Sequence, residues 1–297
     1  MNGCKYFRGM GLRGPAAVLV AAALAVAVSI LWGCRRSEPV VPAVAPAPSS
    51  SSVRAAPAQA PDDEGKLVTI FCGAAGRPPI EEVADAFERE HGVVVARAYG
   101  GSGTVLSQMI IGETGDVYIP GSDDFMDIAA EKGVIVEGTR RLICYLVPCI
   151  GVQRGNPKGI ESLEDLTKPG IRVGIGNPRA VCLGDIAMKI FDAAGIRKEV
   201  KPNIVTHADS CGQIASLLKL RQVDAVIGWD VFENWAPGQI EAIPIPRELA
   251  RERHIPAAVV KFTHNRALAQ KFVDFISGSE ESREIFERHG YTVREPS

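Results

Sequence analysis

The sequence is poor in the groups on which enzymes and nucleic-acid binders depend. Its five histidines (His91, His207, His254, His264 and His289) are scattered along 297 residues. No Ser-His-Asp order, paired carboxylate or metal-ligand spacing ties them to other groups, so a catalytic role is not expected. Charge is nearly balanced, with 33 Lys and Arg against 35 Asp and Glu for a net of −2. No basic face emerges, which argues against a nucleic-acid partner. The glycine-rich turn at Gly100-Gly101-Ser102-Gly103 lacks both the lysine of a phosphate-binding loop and the spacing of a dinucleotide fingerprint, so nucleotide binding is not expected. The seven cysteines have no spacing that suits zinc, and no cofactor is expected.

What is present begins with an export leader. Lys5, Arg8 and Arg13 precede the uncharged run Ala16 to Leu31, about 16 residues, where a membrane span needs roughly 20. The run ends in Leu31-Trp32-Gly33-Cys34, which resembles a bacterial lipobox, although Trp32 stands where a small residue is usual. Residues 1–34 are therefore expected to be a lipoprotein signal peptide with Cys34 lipidated; an uncleaved anchor is the alternative. Residues 35–65, rich in Pro, Ala and Ser, have too little apolar surface to offset the cost of ordering and are expected to be a linker. The remainder, about 230 residues, is ample for one large or two medium α/β lobes. Without the three basic leader residues the chain carries 30 basic and 35 acidic groups, a net of −5.

One stretch organises that remainder. Val93 to Tyr99 reads as a β-branched strand, Gly100 to Thr104 as a tight turn, and Val105 to Ile111 as a helix. Glycine permits the turn, and the free N–H groups of the first helical turn favour an anion. Ser102 either donates to such an anion or caps the helix. The pattern recurs. Leu67 to Phe71 is a strand followed by a small-residue loop and a helix from about Ile80. Asp116 to Pro120 precedes a helix from Asp124, capped by Gly121-Ser122-Asp123. Ile171 to Ile175 leads through Gly176 to Gly184 into a helix from Asp185, and Ala225 to Asp230 is a further strand. Alternating strands and helices imply parallel sheets whose loops gather at the strands' C-terminal ends. Residues 147–152 could cross to a second lobe, and Ala257 to Lys261 is a late strand before helices at 266–277 and 279–289.

From Lys66 onward the chain resembles the type II periplasmic binding proteins of ABC importers, most of all their molybdate/tungstate-binding branch. The matching stretches are Phe71-Cys72-Gly73-Ala74-Ala75, Gly101-Ser102-Gly103-Thr104, Gly115-Asp116-Val117-Tyr118-Ile119, Asn177-Pro178 through Gly184, and Asp224 through Trp229. The resemblance implies two α/β lobes with mainly parallel sheets joined by crossover strands, one formed by 66–148 and 245–297 and the other by 149–244. It implies a monomer that closes on a small oxyanion and delivers it to an ABC permease, with no metal beyond the oxyanion itself. The ligand set it suggests is Ala74, Ala75, Gly76, Arg77, Ser102, Gly103, Thr104, Val181, Cys182, Trp229 and Asp230.

This sequence departs from that branch at several of those positions. Ala75 stands where a serine is typical and could offer only its backbone N–H. Trp229 replaces a common tyrosine and gives an indole N–H, or it fills the core. Ala180 stands where tungstate-type relatives supply a carboxylate. Arg77 is either a charge-assisted donor or a solvated rim residue, and Asp230 is either near the ligand or a helix cap. Cys182, where helix N–H groups would depress a thiol pKa, is a reactive or ligand-facing thiol, a partner of Cys211, or a small buried residue. Cys144 and Cys149 are most simply small buried apolar residues, and an odd count of five domain cysteines requires at least one free thiol. Molybdate or tungstate is the first expectation. The alternative is a binding or sensor lipoprotein for sulfate, phosphate or a thiophilic ligand.

Overall fold

Short β-branched runs, each ending in glycine or another small residue, set the frame of both halves of the chain. The computed structural model describes residues 66–294, all within one compact unit, Ala58–Ser297. The leader, the Cys34 lipidation site and the linker lie outside the described residues. In chain order, β1 (Leu67–Gly73), α1 (Arg77–His91), β2 (Val94–Gly100), α2 (Ser102–Gly112), β3 (Val117–Ile119), α3 (Asp123–Glu131) and β4 (Arg141–Leu146) form the first run. The second comprises β5 (Pro148–Gln153), β6 (Val173–Gly176), α4 (Cys182–Ala193), α5 (Arg197–Val200), β7 (Ile204–Ala208), α6 (Cys211–Lys219), β8 (Ala225–Trp229), α7 (Phe232–Trp235) and β9 (Ile240–Pro244). The chain then returns as β10 (Arg253–Val259) and ends in α8 (Arg266–Gly278) and α9 (Glu280–Arg288).

These strands make two sheets of the same plan, ordered β2-β1-β3-β10-β4 and β7-β6-β8-β5-β9. In each, three parallel strands form one side and an antiparallel pair the other. The expected α/β architecture of two sheets is thus present, with the parallel character confined to β1, β2 and β3 and to β6, β7 and β8.

An aspartate sets the parallel register at the same point of both sheets. The Asp116 carboxylate accepts from the Thr69 N–H at 2.7 Å while its own N–H donates to the Thr69 carbonyl at 2.8 Å. Asp224 does the same with Arg172, accepting from its N–H at 2.8 Å and donating to its carbonyl at 2.8 Å. The Arg172 guanidinium adds a 2.9 Å bond to Asp224, which is only 5% exposed. Burial pushes the Asp224 carboxyl up, but the Arg172 hydrogen bonds and charge outweigh it and hold the group below its ordinary value.

Helices cover the sheets as their apolar spacing dictates. Phe87 of α1 meets Phe272 and Phe275 of α8 edge-on, with ring centroids 5.0 and 5.4 Å apart. Burying one such ring stabilises by roughly 1.5–3 kcal/mol. Arg97 on the edge strand β2 pairs with Asp85 at 2.7 Å and with Glu81 and Glu88 at 3.1 Å, holding α1 against β2.

Several elements begin earlier than the hydrophobic pattern predicts. α1 starts at Arg77, because Pro78 and Pro79 fit a first helical turn whose N–H groups have no intrahelical acceptor. α4 starts at Cys182 and α6 at Cys211. β4 and β7, absent from the sequence reading, pair with β10 and β6. The chain passes from one sheet to the other at Val147 and again in the segment 245–252.

Candidate functional site

Every parallel strand ends in a turn that starts a helix, and the turns of the two sheets face each other. From the first sheet come the 3-10 turn Ala74–Gly76 before α1, Gly101-Ser102 at the start of α2, and Gly121-Ser122 before α3. From the second come Val181-Cys182 at the start of α4 and Ser210-Cys211 at the start of α6. Helix N-termini carry unpaired N–H groups and partial positive charge, so their convergence makes a cradle for negative charge.

The two halves touch across this cradle. The Gly103 N–H donates to the Ala180 carbonyl at 2.9 Å. A Cβ at Gly101 would lie 2.5 Å from the Ala180 carbonyl oxygen and 2.8 Å from that of Asp209, so only glycine permits the approach. Lys189 of α4 reaches Asp124 of α3 at 3.1 Å, and Arg253 approaches the same carboxylate at 3.4 Å.

At the centre sits Ser102, 2% exposed, and its neighbours fix its orientation. Its Oγ accepts from the Gly121 N–H at 3.0 Å, and its carbonyl accepts from the Tyr118 hydroxyl at 2.9 Å. Ser102 is the first residue of α2 and Gly101 is the N-cap, so the hydroxyl is turned into the cradle rather than spent on its own helix. A Cβ at Gly121 would lie 2.8 Å from the Ala75 Cβ, 3.0 Å from the Cys182 Sγ and 3.5 Å from the Ser102 Oγ, which brings these three residues together around one glycine. Ala75 is fully buried, and its carbonyl accepts from the Tyr291 hydroxyl at 2.6 Å, which pins the loop.

Cys182 and Cys211 are both free thiols and both 2% exposed. Each is the first residue of its helix, and the two side chains act on each other. Donation from the Cys211 thiol is the strongest influence holding Cys182 below the ordinary thiol value. Burial opposes it, and the Ser102 hydroxyl and the Leu183 N–H reinforce it. Cys211 is pushed well above its ordinary value, first by that same donation and then by burial. Trp229 ends β8 of the second sheet. It is fully buried and its Nε1 has no hydrogen-bond partner, although the indole lies near enough to the Cys211 sulfur to act on it.

The remaining sequence-predicted positions fall elsewhere. Ala74, Arg77 and Thr104 line the mouth, a cavity of about 470 Å³ bounded on the far side by Asp209, Ser210 and Gln213. There Arg77 pairs with Glu81 at 3.3 Å and lies 4.9 Å over the Tyr99 ring, as a rim residue. Gly76 backs onto Ile80 and Ile255. Val181 is the buried N-cap of α4. Asp230 turns away: its carboxylate accepts from the Val147 N–H at 3.2 Å and the Val231 N–H at 3.0 Å, and so braces the passage between sheets.

Gly121 and Tyr118 join the constellation without having been placed there from sequence, and Cys211, which the sequence offers only as a partner of Cys182, is present as a free thiol at the start of α6. For Cys211 the signal is Ser210-Cys211-Gly212-Gln213, a capping pattern in which the Ser210 Oγ accepts from the Gln213 N–H at 3.2 Å. Among the described residues, no group of three or more His, Cys, Asp or Glu assembles as a metal site, and no helix is long and apolar enough to cross a membrane.

Comparison with known proteins places this geometry in context. Residues 68–292 match the family model described as bacterial extracellular solute-binding protein. The molybdate-binding protein ModA of Escherichia coli is 27% identical over 239 residues, covering 78% of this chain and 91% of that protein. Among solved structures, the periplasmic molybdate-binding protein of Azotobacter vinelandii superposes with a TM-score of 0.64 at 20% identity, covering 77% of this chain and all of the other. The sulfate-binding protein SubI of Mycobacterium tuberculosis gives 0.68 at 17% identity, covering 78% and 88%. At these identities the two structures speak for the fold alone.

Proposed function

The chain belongs to the bacterial extracellular solute-binding proteins, and from that premise we propose that it captures a small oxyanion by lobe closure and hands it to an ABC permease. The observation that carries this reading is the convergence of four helix or turn starts, at Ala74, Ser102, Cys182 and Cys211, on one buried point shared by both sheets. A tetrahedral oxyanion matches such a point because N–H and O–H donors satisfy its oxygens without a cluster of basic side chains. The proposed donors are the Ala75, Ser102 and Cys182 backbone N–H groups, the Ser102 hydroxyl and the Trp229 indole. Capture proceeds by opening at Val147 and 245–252, entry through the mouth beside Arg77 and Thr104, and closure of the Gly101 and Gly103 backbone onto Ala180.

Molybdate and tungstate are the first ligands of this reading, supported by the molybdate-binding relative that this chain matches over most of its length. Sulfate and phosphate come second, because Ala75 and Trp229 alter the hydroxyl set. The protein acts as a lipid-anchored monomer, held to the membrane through Cys34 and spaced from it by residues 35–65, and it binds its ligand without transforming it.

A calorimetric titration of the full chain with molybdate, tungstate, sulfate, phosphate and arsenate tests the reading. Binding of molybdate and tungstate with silence toward the others is the expected result. Silence toward all five would overturn it.

A further inference from the structure

The helix starts converge on a closed point, and the open volume of the cleft lies beside it. Ala75 is fully buried and Ser102, Cys182 and Cys211 are each 2% exposed. The mouth next to them holds about 470 Å³. A bare tetrahedral oxyanion displaces about two or three waters, roughly 60–90 Å³. Three turns join the two spaces. Ala74, Gly101 and Ser210 line the mouth, and the next residue of each turn, Ala75, Ser102 and Cys211, stands at the cradle. An anion seated in the cradle therefore has one side turned toward the mouth.

The walls of that mouth suit an organic group. Tyr99 of β2 and Trp235 of α7 both line it, one from each half of the fold. Each has its polar tip turned away: the Tyr99 hydroxyl oxygen is buried, and the Trp235 Nε1 donates to the Tyr291 hydroxyl at 3.2 Å. What they offer a ligand is ring surface, next to Pro78. Polar groups with capacity left stand among them. Arg77 lies 4.9 Å over the Tyr99 ring and gives its Nε to Glu81 at 3.3 Å, which leaves its terminal N–H groups. Gln213 accepts from the Asp209 N–H at 2.8 Å through Oε1, which leaves its amide NH2. Thr104 adds a hydroxyl. Aromatic walls with a few placed polar groups around several hundred Å³ are the make-up of a small-organic-ligand site. A second cavity of about 320 Å³ shares Pro78, Gly212 and Trp235 with the mouth and continues it toward Ser216 and Lys219.

We propose that this cleft takes an oxyanion that carries one organic substituent, a phosphate or sulfate monoester. The charged head sits in the cradle, and the organic group lies in the mouth against Tyr99 and Trp235. The proposal rests on the reading of the cleft as an oxyanion site and extends the ligands it admits. A monoester keeps three terminal oxygens for the N–H and hydroxyl donors of the cradle. Its ester oxygen, the weakest acceptor of the four, faces the mouth, where the substituent leaves. Arg77 at the rim disfavours a cationic substituent and favours one with hydroxyl or carboxylate oxygens.

Calorimetry on the full chain tests this, with phosphate against phenyl phosphate and glycerol phosphate, sulfate against phenyl sulfate, and molybdate alongside. At least one ester should bind tighter than its inorganic parent by about tenfold, the effect of burying roughly 60 Å² of apolar surface. Thr104 is exposed at the mouth, so Thr104→Trp fills the cavity without disturbing the core. That variant should bring ester and parent to parity, whereas Thr104→Val, which keeps the size, should retain most of the preference. If no ester binds tighter than its parent while any inorganic oxyanion binds, the proposal is overturned and oxyanion capture stands. An ester preference that survives Thr104→Trp also overturns it, because the organic group then lies elsewhere. Silence toward esters and inorganic anions alike overturns oxyanion capture as well.

Discussion

Gly101 carries a constraint that neither neighbour shares. Its backbone must pass between the Ala180 and Asp209 carbonyls, and a methyl group there would sit 2.5 Å from one oxygen and 2.8 Å from the other. Both oxygens belong to backbone, so neither can swing aside. The conflict exists only when the two halves are together, because Ala180 and Asp209 belong to the second sheet's loops. Gly101→Ala should therefore leave the melting temperature of the ligand-free protein little changed while weakening ligand capture. A cost of about 1–3 kcal/mol corresponds to roughly five- to 140-fold in affinity. Calorimetry with molybdate on the wild type and Gly101→Ala checks this, and equal affinities would show that the contact plays no part in closure.

The same scale shows what sequence can and cannot say about the site. Ser102 and Cys182 were found because a glycine-rich turn followed by helical spacing marks where free N–H groups will be. Cys211 is offered by the sequence only as a partner of Cys182 and not as a residue of the cradle, because the apolar period of α6 begins at Ile214 and sets the helix start there. Arg77 and Asp230 show the limit in the other direction. Both lie beside the right turns, yet Glu81 and Tyr99 occupy the arginine, and Val147 and Val231 occupy the aspartate. Proximity in sequence fixed their neighbourhood, while the direction of their side chains depended also on one partner distant along the chain in each case, Tyr99 for the arginine and Val147 for the aspartate.

Elements were legible where hydrophobic periodicity is strong and both faces are covered. β1, β6 and β8 are nearly continuous apolar runs because helices pack on both sides. β7 escaped because it is an edge strand in which Val205 is 54% exposed and only Ala208 is buried. β10 was recognised only from Ala257, because His254 looks like loop until the chain pairs it with Tyr145 of β4. The aspartates that precede β3 and β8 were read as parts of a family motif, and the structure gives them a mechanical meaning: each clamps the start of one parallel strand to the next. That predicts a pH signature for Asp224. Its folded-state pKa is depressed, so its contribution is fully present above the ordinary carboxylate range, near 4. It is lost as pH falls through the lower folded value. Asp224→Ala should cost about 2–3 kcal/mol at neutral pH, and the gap between variant and wild-type urea midpoints should close on acidification. A gap that persists unchanged at low pH would assign the loss to packing instead of charge.

At the scale of the whole molecule, two chain passages join the two sheets among the described residues, and one of them is braced by a carboxylate. Asp230 follows Trp229, the last residue of β8, and grips Val147, the link between β4 and β5, while its own N–H donates to the Val147 carbonyl at 3.0 Å. Any hinge motion at Val147 must work against this three-bond bracket, counting the Val231 N–H. The carboxylate is costly to keep charged there: burial raises its pKa, and the surrounding N–H groups recover only part of the shift. A folded pKa above the unfolded one means that stability is full below the unfolded value and declines as pH rises through the folded value. An amide in the same place keeps an acceptor oxygen and never ionises. Asp230→Asn should therefore hold close to wild-type stability at low pH and gain on it as pH rises toward neutrality. Asp230→Ala, which leaves the Val147 N–H without its acceptor, should lose about 1–3 kcal/mol at low pH, a gap that narrows as the wild type declines with rising pH. Urea midpoints of the three proteins across that range give the stability order, and molybdate affinities measured alongside give the consequence for capture. If the carboxylate is a hinge brace, Asn restores the affinity that Ala loses. If Asp230→Asn binds as poorly as Asp230→Ala, the negative charge itself serves the ligand site, and the bracket at Val147 is incidental.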